Sequence, residues 1–211
     1  MHDACAPTVF IVDDDVSVRE SLELLVRSAG WHPETFASAR EFLARPPAEG
    51  PSCLLLDFAL PDLNGLEVQA LLGGRTETPI IFITGYGDVP MTVRAMKAGA
   101  FDFLTKPYDG KMLLFAMRHA LERSTAVLAH KAQQQRLRGC YESLSRRERQ
   151  VMALVVDGRL NKQVGGELGI SEITVKAHRG KLMRKMQAHS FADLVRKVMT
   201  LGVDQGEFFT P

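Results

Sequence analysis

Val9-Phe10-Ile11-Val12-Asp13-Asp14-Asp15 carries four apolar residues straight into three carboxylates. An apolar run without alternation is what a strand buried on both faces requires. Cys53-Leu54-Leu55-Leu56-Asp57 repeats the pattern, and Pro79-Ile80-Ile81-Phe82-Ile83 ends at Thr84. Amphipathic stretches separate these runs. Val16 to Ala29 reads as a helix with Val18, Leu22, Leu25, Val26 and Ala29 on one face, stopped by Gly30. Leu63 to Leu72 reads as a helix closed by Gly73-Gly74, and Val89 to Ala98 as another. His32 to Phe36 is a weaker strand, and Ala39 to Ala44 a short helix ended by Pro46-Pro47. Ala100 to Leu104 is a fifth strand, ahead of Thr105-Lys106-Pro107. Strands alternating with helices predict an α/β fold, a five-stranded parallel doubly wound sheet of flavodoxin-like type. Ligands in such sheets bind beyond the carboxyl ends of the strands.

Outside this region the chain changes character. Residues 1–125 hold 11 Lys+Arg against 17 Asp+Glu, a net of −6, while residues 126–211 hold 15 against 8, a net of +7. The asymmetry predicts two domains with different partners, nucleic acid being one candidate for the basic half. With 45% hydrophobic and 24% charged residues, the 211-residue chain is ordinary for a globular protein. No apolar run is long enough to span a membrane. Met1 to Pro7 shows no basic start followed by an apolar run, so no secretory signal is expected. Cys5, Cys53 and Cys140 fit neither a disulfide framework nor zinc spacing, and read as reduced thiols of a cytoplasmic protein.

Asp13, Asp14, Asp57, Thr84 and Lys106 all fall at strand ends, so a parallel sheet gathers them on one edge. Three adjacent carboxylates repel one another, and a hard divalent cation such as Mg²⁺ resolves the conflict. A lysine beside them can hold an anion, and a threonine hydroxyl can donate to it. That set fits phosphoryl transfer to a carboxylate, where positioning and charge neutralisation carry most of the catalysis. Taken singly, the acidic run reads equally as a helix cap and Lys106-Pro107 as a surface turn.

Lys111 to Arg138 lacks Gly and Pro and reads as one long helix ending at Gly139, with Leu114, Leu121 and Leu128 as a short seam and Met117 between the first two. Four helices follow. Ser145 caps the first, with Glu148 completing a capping box, and it runs to about Val156. Asn161 to Leu168 is the second. Gly169-Ile170-Ser171 is a tight turn, and the third runs from Glu172 to about Met186. Phe191 to Leu201 is the fourth. Two helices joined by a glycine-containing turn suggest a helix-turn-helix.

The first half resembles the receiver domain of two-component response regulators. The resemblance rests on Val9 to Asp15, Leu54-Leu55-Leu56-Asp57, Pro61-Asp62-Leu63-Asn64-Gly65, Ile83-Thr84-Gly85 and Phe103-Leu104-Thr105-Lys106-Pro107. Gly87-Asp88-Val89-Pro90 and Ala95-Met96-Lys97-Ala98-Gly99-Ala100 resemble the FixJ subfamily in particular. Ser145-Arg146-Arg147-Glu148-Arg149-Gln150-Val151, Asn161-Lys162-Gln163-Val164 and Leu168 to Arg179 resemble the LuxR-type (NarL/FixJ) DNA-binding domain. The expected organisation is a receiver over 1–123, a helical linker over 124–143 continuing the fifth receiver helix, and an all-α four-helix helix-turn-helix domain over 144–211.

The resemblance implies roles. Asp57 is the phosphoacceptor. Asp14 and Asp57 ligate Mg²⁺ directly, Asp13 through water, and Ala59 through its backbone carbonyl. Thr84 and Lys106 bind the phosphoryl group, Gly85 leaves the approach open, and Phe103 is the switch aromatic. Phe58-Ala59-Leu60 depart from the subfamily's Arg-Met in this loop, which bears on the lifetime of the acyl phosphate. Tyr86 flanks the site as a shield against water.

On the third helix of the basic half, Val175, Leu182 and Met186 share one face by the 100° rule and should meet the core. Opposite lie Ala177, Gly180, Lys181 and Arg184, flanked by Thr174 and Lys176, small and basic enough to enter a major groove. His178 is expected in a structural hydrogen bond. Gly165-Gly166 depart from the family's second helix, each costing about 1 kcal/mol in helix propensity. Leu194, Val198 and Leu201 read either as a dimerisation face or as core.

The expected activity is that of a transcriptional regulator. A sensor histidine kinase phosphorylates Asp57, a homodimer forms, and two recognition helices meet two-fold DNA near RNA polymerase. Two alternatives keep part of this reading. In one, the receiver is a phosphorylation-independent dimerisation or sensing module. In the other, Asp57 is the nucleophile of a metal-dependent phosphatase, which lacks the second carboxylate two residues on.

Overall fold

A computed structural model describes residues 6–73, 76–85 and 89–202. The chain divides into two compact units, Met1–Ala129 and His130–Pro211. In the first, strands β1 (Thr8–Val12), β2 (His32–Phe36), β3 (Ser52–Asp57), β4 (Ile80–Thr84) and β5 (Asp102–Thr105) alternate with helices α1 (Val16–Ser28), α2 (Ala39–Ala44), α3 (Gly65–Leu72) and α4 (Val89–Lys97). The sheet is parallel throughout, in the order β2-β1-β3-β4-β5. Helix α5 (Gly110–Glu142) begins in this unit and ends in the second.

The uninterrupted apolar runs have the predicted cause. Val9, Ile11, Cys53, Leu55, Ile81 and Ile83 point to one side and pack with Leu22 and Val26 of α1 and with Leu113, Met117 and Leu121 of α5. Phe10, Val12, Leu54, Leu56 and Phe82 point to the other side and meet α2, α3 and α4 through Phe42, Val68 and Ala95. Each such side chain contributes about 2 kcal/mol by leaving water. Val12 is level with Leu56, and Asp57 with Ile83. The residues that follow β1 and end β3 and β4 therefore emerge at one edge.

Two expectations about α5 change. Its buried residues are Leu113, Ala116, Met117, Ala120, Leu121 and Ser124, a three-four spacing that covers the sheet. Leu114 and Leu128 are only half-buried, so the seven-residue leucine repeat is a by-product of core packing and not a seam. Gly139 does not end the helix. Helical hydrogen bonding continues through it to Glu142, where Ser143 Oγ donates to the Cys140 carbonyl. The helix stays intact because Leu137, Cys140 and Tyr141 on its last turns are packed into the core of the second unit.

That unit contains α6 (Arg146–Val156), α7 (Asn161–Leu168), α8 (Glu172–Lys185) and α9 (Phe191–Leu201). The capping box forms as expected. Ser145 Oγ accepts from the Glu148 amide, and the Glu148 carboxylate accepts from the Ser145 amide at 2.8 Å. Leu144, Met152, Leu182, Met186, Leu194 and Val198 form one core cluster. Val151, Leu154, Val155, Val164 and Val175 form another, where α6, α7 and α8 meet.

The adjacent glycines of α7 are not equivalent. A Cβ on Gly165 would stand 2.7 Å from the Ile170 carbonyl oxygen, whereas one on Gly166 would meet nothing within 4 Å. The α7–α8 turn closes directly onto Gly165, whose carbonyl accepts from the Ile170 amide at 2.9 Å. Only Gly166 is an uncompensated helix-propensity cost. Gly165→Ala should destabilise the second unit by about 2 kcal/mol through overpacking, and Gly166→Ala should stabilise it by about 1 kcal/mol. Urea denaturation of the two variants checks the opposite signs.

Candidate functional site

The loop after β1 is held from both ends. Asp13 Oδ1 accepts from the Asp15 amide at 2.9 Å, and Asp15 caps α1 through the Ser17 amide. The Arg19 guanidinium donates to the carbonyls of Asp13 and Asp14, at 2.6 and 3.0 Å. The acidic run is thus divided: Asp15 serves the helix, while Asp13 and Asp14 are presented to the pocket. Asp57 is the last residue of β3, with Oδ1 accepting from the Ala59 amide at 3.0 Å.

Lys106, just past β5, closes the pocket. Its Nζ lies 2.7 Å from Asp13 Oδ2 and 2.8 Å from Asp57 Oδ2, joining residues 93 and 49 positions away. Carboxylate oxygens of Asp13, Asp14 and Asp57 come within 4.8 Å of one another. Asp13 is 2% exposed and Asp57 8%, while Asp14 faces solvent. Burial pushes the Asp13 carboxyl above the ordinary aspartate value, and the Lys106 and Asp15 hydrogen bonds only partly offset that. Its ionised form is therefore held at a cost at neutral pH. The Lys106 ammonium is raised despite burial, because Asp13 and Asp57 both accept from it. Three carboxylates gathered at one sheet edge, with Asp14 on the solvent side, fit a hard divalent cation such as Mg²⁺.

Thr84 ends β4 and is 1% exposed, and its carbonyl accepts from the Lys106 amide at 2.7 Å. Among the described residues, a Cβ on Gly85 would meet nothing within 4 Å. Phe103 is half-buried, with its ring centroid 6.2 Å from that of Phe82. The shield expected at Tyr86 lies outside the described residues, as does Cys5. Cys53 is buried and Cys140 half-buried, and both are free thiols.

Three supporting residues escape a reading of the sequence alone. Arg19 is one. Asp62 accepts from the Ala39 and Arg40 amides, at 3.3 and 2.9 Å, so the loop after β3 caps α2 from more than twenty residues away. Ser124, fully buried on α5, accepts from the Ser52 amide at 2.9 Å and donates to the Glu77 carbonyl. The acid run four residues ahead of Arg19 offered a signal of charge spacing. The other two contacts have none.

In the second unit, Ser171 caps α8, accepting from the Thr174 amide at 3.1 Å. Val175, Leu182 and Met186 are buried, as the periodicity predicts. Thr174, Lys176, Ala177, Gly180, Lys181 and Arg184 are all exposed. Arg179 is turned sideways, donating to Asn161 Oδ1 of α7 at 2.7 Å. The hydrogen bond expected at His178 is not formed at Nδ1, which is buried without a partner. On α9, Leu194 and Val198 are buried and Leu201 packs beside them, so this face is core.

Lys185 crosses to the start of α6. Its Nζ lies 2.7 Å from Glu148 Oε2 and 2.9 Å from the Ser143 carbonyl. Burial alone would raise the Glu148 carboxyl, but the Lys185 and Ser145 hydrogen bonds hold it below the usual glutamate value. A depressed carboxyl contributes stability that is present above its unfolded value and lost as pH falls through its folded value. Glu148 is 4% exposed, so Glu148→Gln should lower the stability of this unit by about 2 kcal/mol at neutral pH. The gap from wild type should shrink as pH falls below the usual glutamate range. Denaturation at pH 7 and pH 4 checks both statements.

Residues 9–118 match the response regulator receiver domain, and residues 142–198 match the bacterial regulatory proteins of the luxR family. Nodulation protein W of Bradyrhizobium diazoefficiens is 50% identical, over 92% of this chain and 86% of its own length. Transcriptional regulatory protein FixJ of Rhizobium meliloti is 41% identical, over 92% of this chain and 96% of its own. The solved structure of the response regulator StyR matches with a TM-score of 0.84 at 47% identity, covering 92% of this chain and 98% of that one.

Proposed function

This chain belongs to the NarL/FixJ response regulators, transcription regulators that join a receiver to a LuxR-type DNA-binding domain, and from that membership we propose how its own residues act. Asp57 accepts a phosphoryl group from a sensor histidine kinase. A carboxylate oxygen of Asp57 attacks phosphorus, the P–N bond to the kinase histidine breaks, and an acyl phosphate remains. Asp14, Asp57 and the Ala59 carbonyl would hold Mg²⁺, with Asp13 acting through water. The ion, when bound, neutralises charge on the phosphoryl oxygens. Lys106 pairs with the new anion, the Thr84 hydroxyl donates to it, and open Gly85 admits the donor. Phe103 then turns inward beside Phe82. The receiver catalyses its own phosphorylation and hydrolysis and acts on no other substrate.

The observation that carries this reading is the Lys106 ammonium bridging Asp13 and Asp57 with Asp14 alongside. Exposed Val89, Val93 and Met96 on α4, with Met112 and Phe115 on α5, support a homodimer formed through the α4-β5-α5 face. Phosphorylation need only favour one of two states already present. The dimer offers two copies of α8 to a two-fold DNA site, where RNA polymerase is the further partner. Lys176 and Lys181 reach base edges or phosphates, Thr174 and Arg184 contact phosphates, and small Ala177 and Gly180 let the helix sit deep. No described helix is long and apolar enough to cross a membrane, in keeping with action in the cytoplasm.

Sedimentation with beryllofluoride and Mg²⁺ tests this. The wild-type chain should pass from monomer to dimer, and Phe115→Asp should remain monomeric. Wild-type mass that does not respond to beryllofluoride would favour a phosphorylation-independent receiver.

A further inference from the structure

Ile173 is the most exposed of the large apolar side chains described, at 79%. It stands on the second residue of α8, in the helix's first turn, and belongs to no core cluster. Helical geometry places it on the outward row: Ile173, Ala177, Gly180 and Arg184 follow one another at steps of four, three and four residues. A β-branched residue gains nothing there in helix propensity.

In the chain without DNA, the polar side chains around Ile173 pair with one another along the helix. Ser171 and Thr174 share a hydroxyl–hydroxyl hydrogen bond at 2.8 Å, and Glu172 pairs with Lys176 at 3.3 Å. What projects from the tip of α8 is therefore an aliphatic group. Further along the same row there is little to obstruct a close approach, because Ala177 is small and Gly180 has open space where a side chain would stand. Arg184 ends the row and Lys181 flanks it, and neither forms an ion pair among the described residues. An apolar knob bordered by free cations is complementary to an apolar feature embedded in a polyanion. In the major groove the base edges offer one such feature, the C5-methyl group of thymine.

We propose that Ile173 is a specificity-determining residue that reads a thymine methyl in each half-site, an inference that rests on α8 being the DNA-entering helix. Arg184, by contrast, sets affinity with little regard to sequence. Removing the base methyl should cost about the burial of one methyl group per half-site, or about tenfold in Kd when both half-sites are changed.

The test begins with duplexes enriched from a random-sequence library by the full-length chain with beryllofluoride and Mg²⁺. Each thymine of the enriched duplex is then replaced by uracil, which deletes only the methyl group. Wild type should lose about tenfold at one symmetric pair of positions. Ile173→Ala should bind the thymine duplex more weakly and be indifferent to uracil at that pair. Arg184→Ala should weaken every duplex and keep the uracil sensitivity. Melting curves that match wild type establish that each variant is folded. Ile173→Ala binding that equals wild type, or that keeps full uracil sensitivity, would overturn the assignment. Failure of the wild-type chain to enrich any sequence would instead overturn the reading of α8 as a DNA-entering helix, and the inference with it.

Discussion

Asp57→Asn incubated with acetyl phosphate and Mg²⁺ is expected to gain no phosphoryl group, while wild type is modified on a single residue. The amide is close in shape to the carboxylate and can still accept from the Ala59 amide, as Asp57 does at 3.0 Å. What it lacks is a nucleophilic anion. The effect should therefore be total on phosphorylation and small on folding. Stability should change little, because Lys106 keeps Asp13 as a partner, and because the Asp57 charge is one of the influences raising the Asp13 carboxyl. Intact-mass spectrometry reads the first outcome and thermal unfolding the second. Modification of the variant to the wild-type extent would place the acceptor elsewhere.

The second large effect is expected at Lys106. One ammonium serves two carboxylates, at 2.7 and 2.8 Å, and its side chain is about a quarter exposed. Lys106→Met leaves Asp13 and Asp57 facing each other with no cation between them. Removing one partner of a buried ion pair costs about 3–5 kcal/mol, and partial solvent access puts this site at the lower end, about 3 kcal/mol. Added Mg²⁺ supplies the missing positive charge, so its stabilising effect should be larger in Lys106→Met than in wild type. Melting temperatures of both proteins with EDTA and with saturating Mg²⁺ give the comparison. Equal Mg²⁺ increments in the two proteins would mean that lysine and metal do not share one anionic site.

Much of this was legible in the sequence, for a definite reason. Residues 9–12, 53–56 and 80–83 are apolar on both strand faces, and only a covered parallel sheet accommodates that. Once the strands are parallel, Asp13, Asp57, Thr84 and Lys106 must share an edge. The capping residues Ser145 and Ser171 likewise announce their helices locally, whereas the helix expected from Leu63 begins only at Gly65, behind an Asn64 cap. What escaped is what depends on distant contact. Gly139 has the local chemistry of a helix stop, yet packing of Leu137, Cys140 and Tyr141 carries α5 past it. Ala100 looks like the start of β5, but its amide closes the end of α4 on the Ala95 carbonyl, and the strand begins at Asp102. Gly165 looks like a defect until Ile170 is seen to occupy the space of its missing side chain. Leu194, Val198 and Leu201 form an apolar stripe that periodicity alone leaves open between partner and core, and packing against Met152 and Leu182 assigns it to the core.

The central claim is that phosphorylation at Asp57 controls what α8 does. The most direct test is a fluorescence titration of enriched duplex DNA with wild type and Asp57→Asn, each with and without beryllofluoride in Mg²⁺ buffer. Wild type should bind more tightly with beryllofluoride, and Asp57→Asn should give one weak isotherm in both conditions. Identical wild-type isotherms with and without beryllofluoride, on DNA that the protein does bind, would contradict the account.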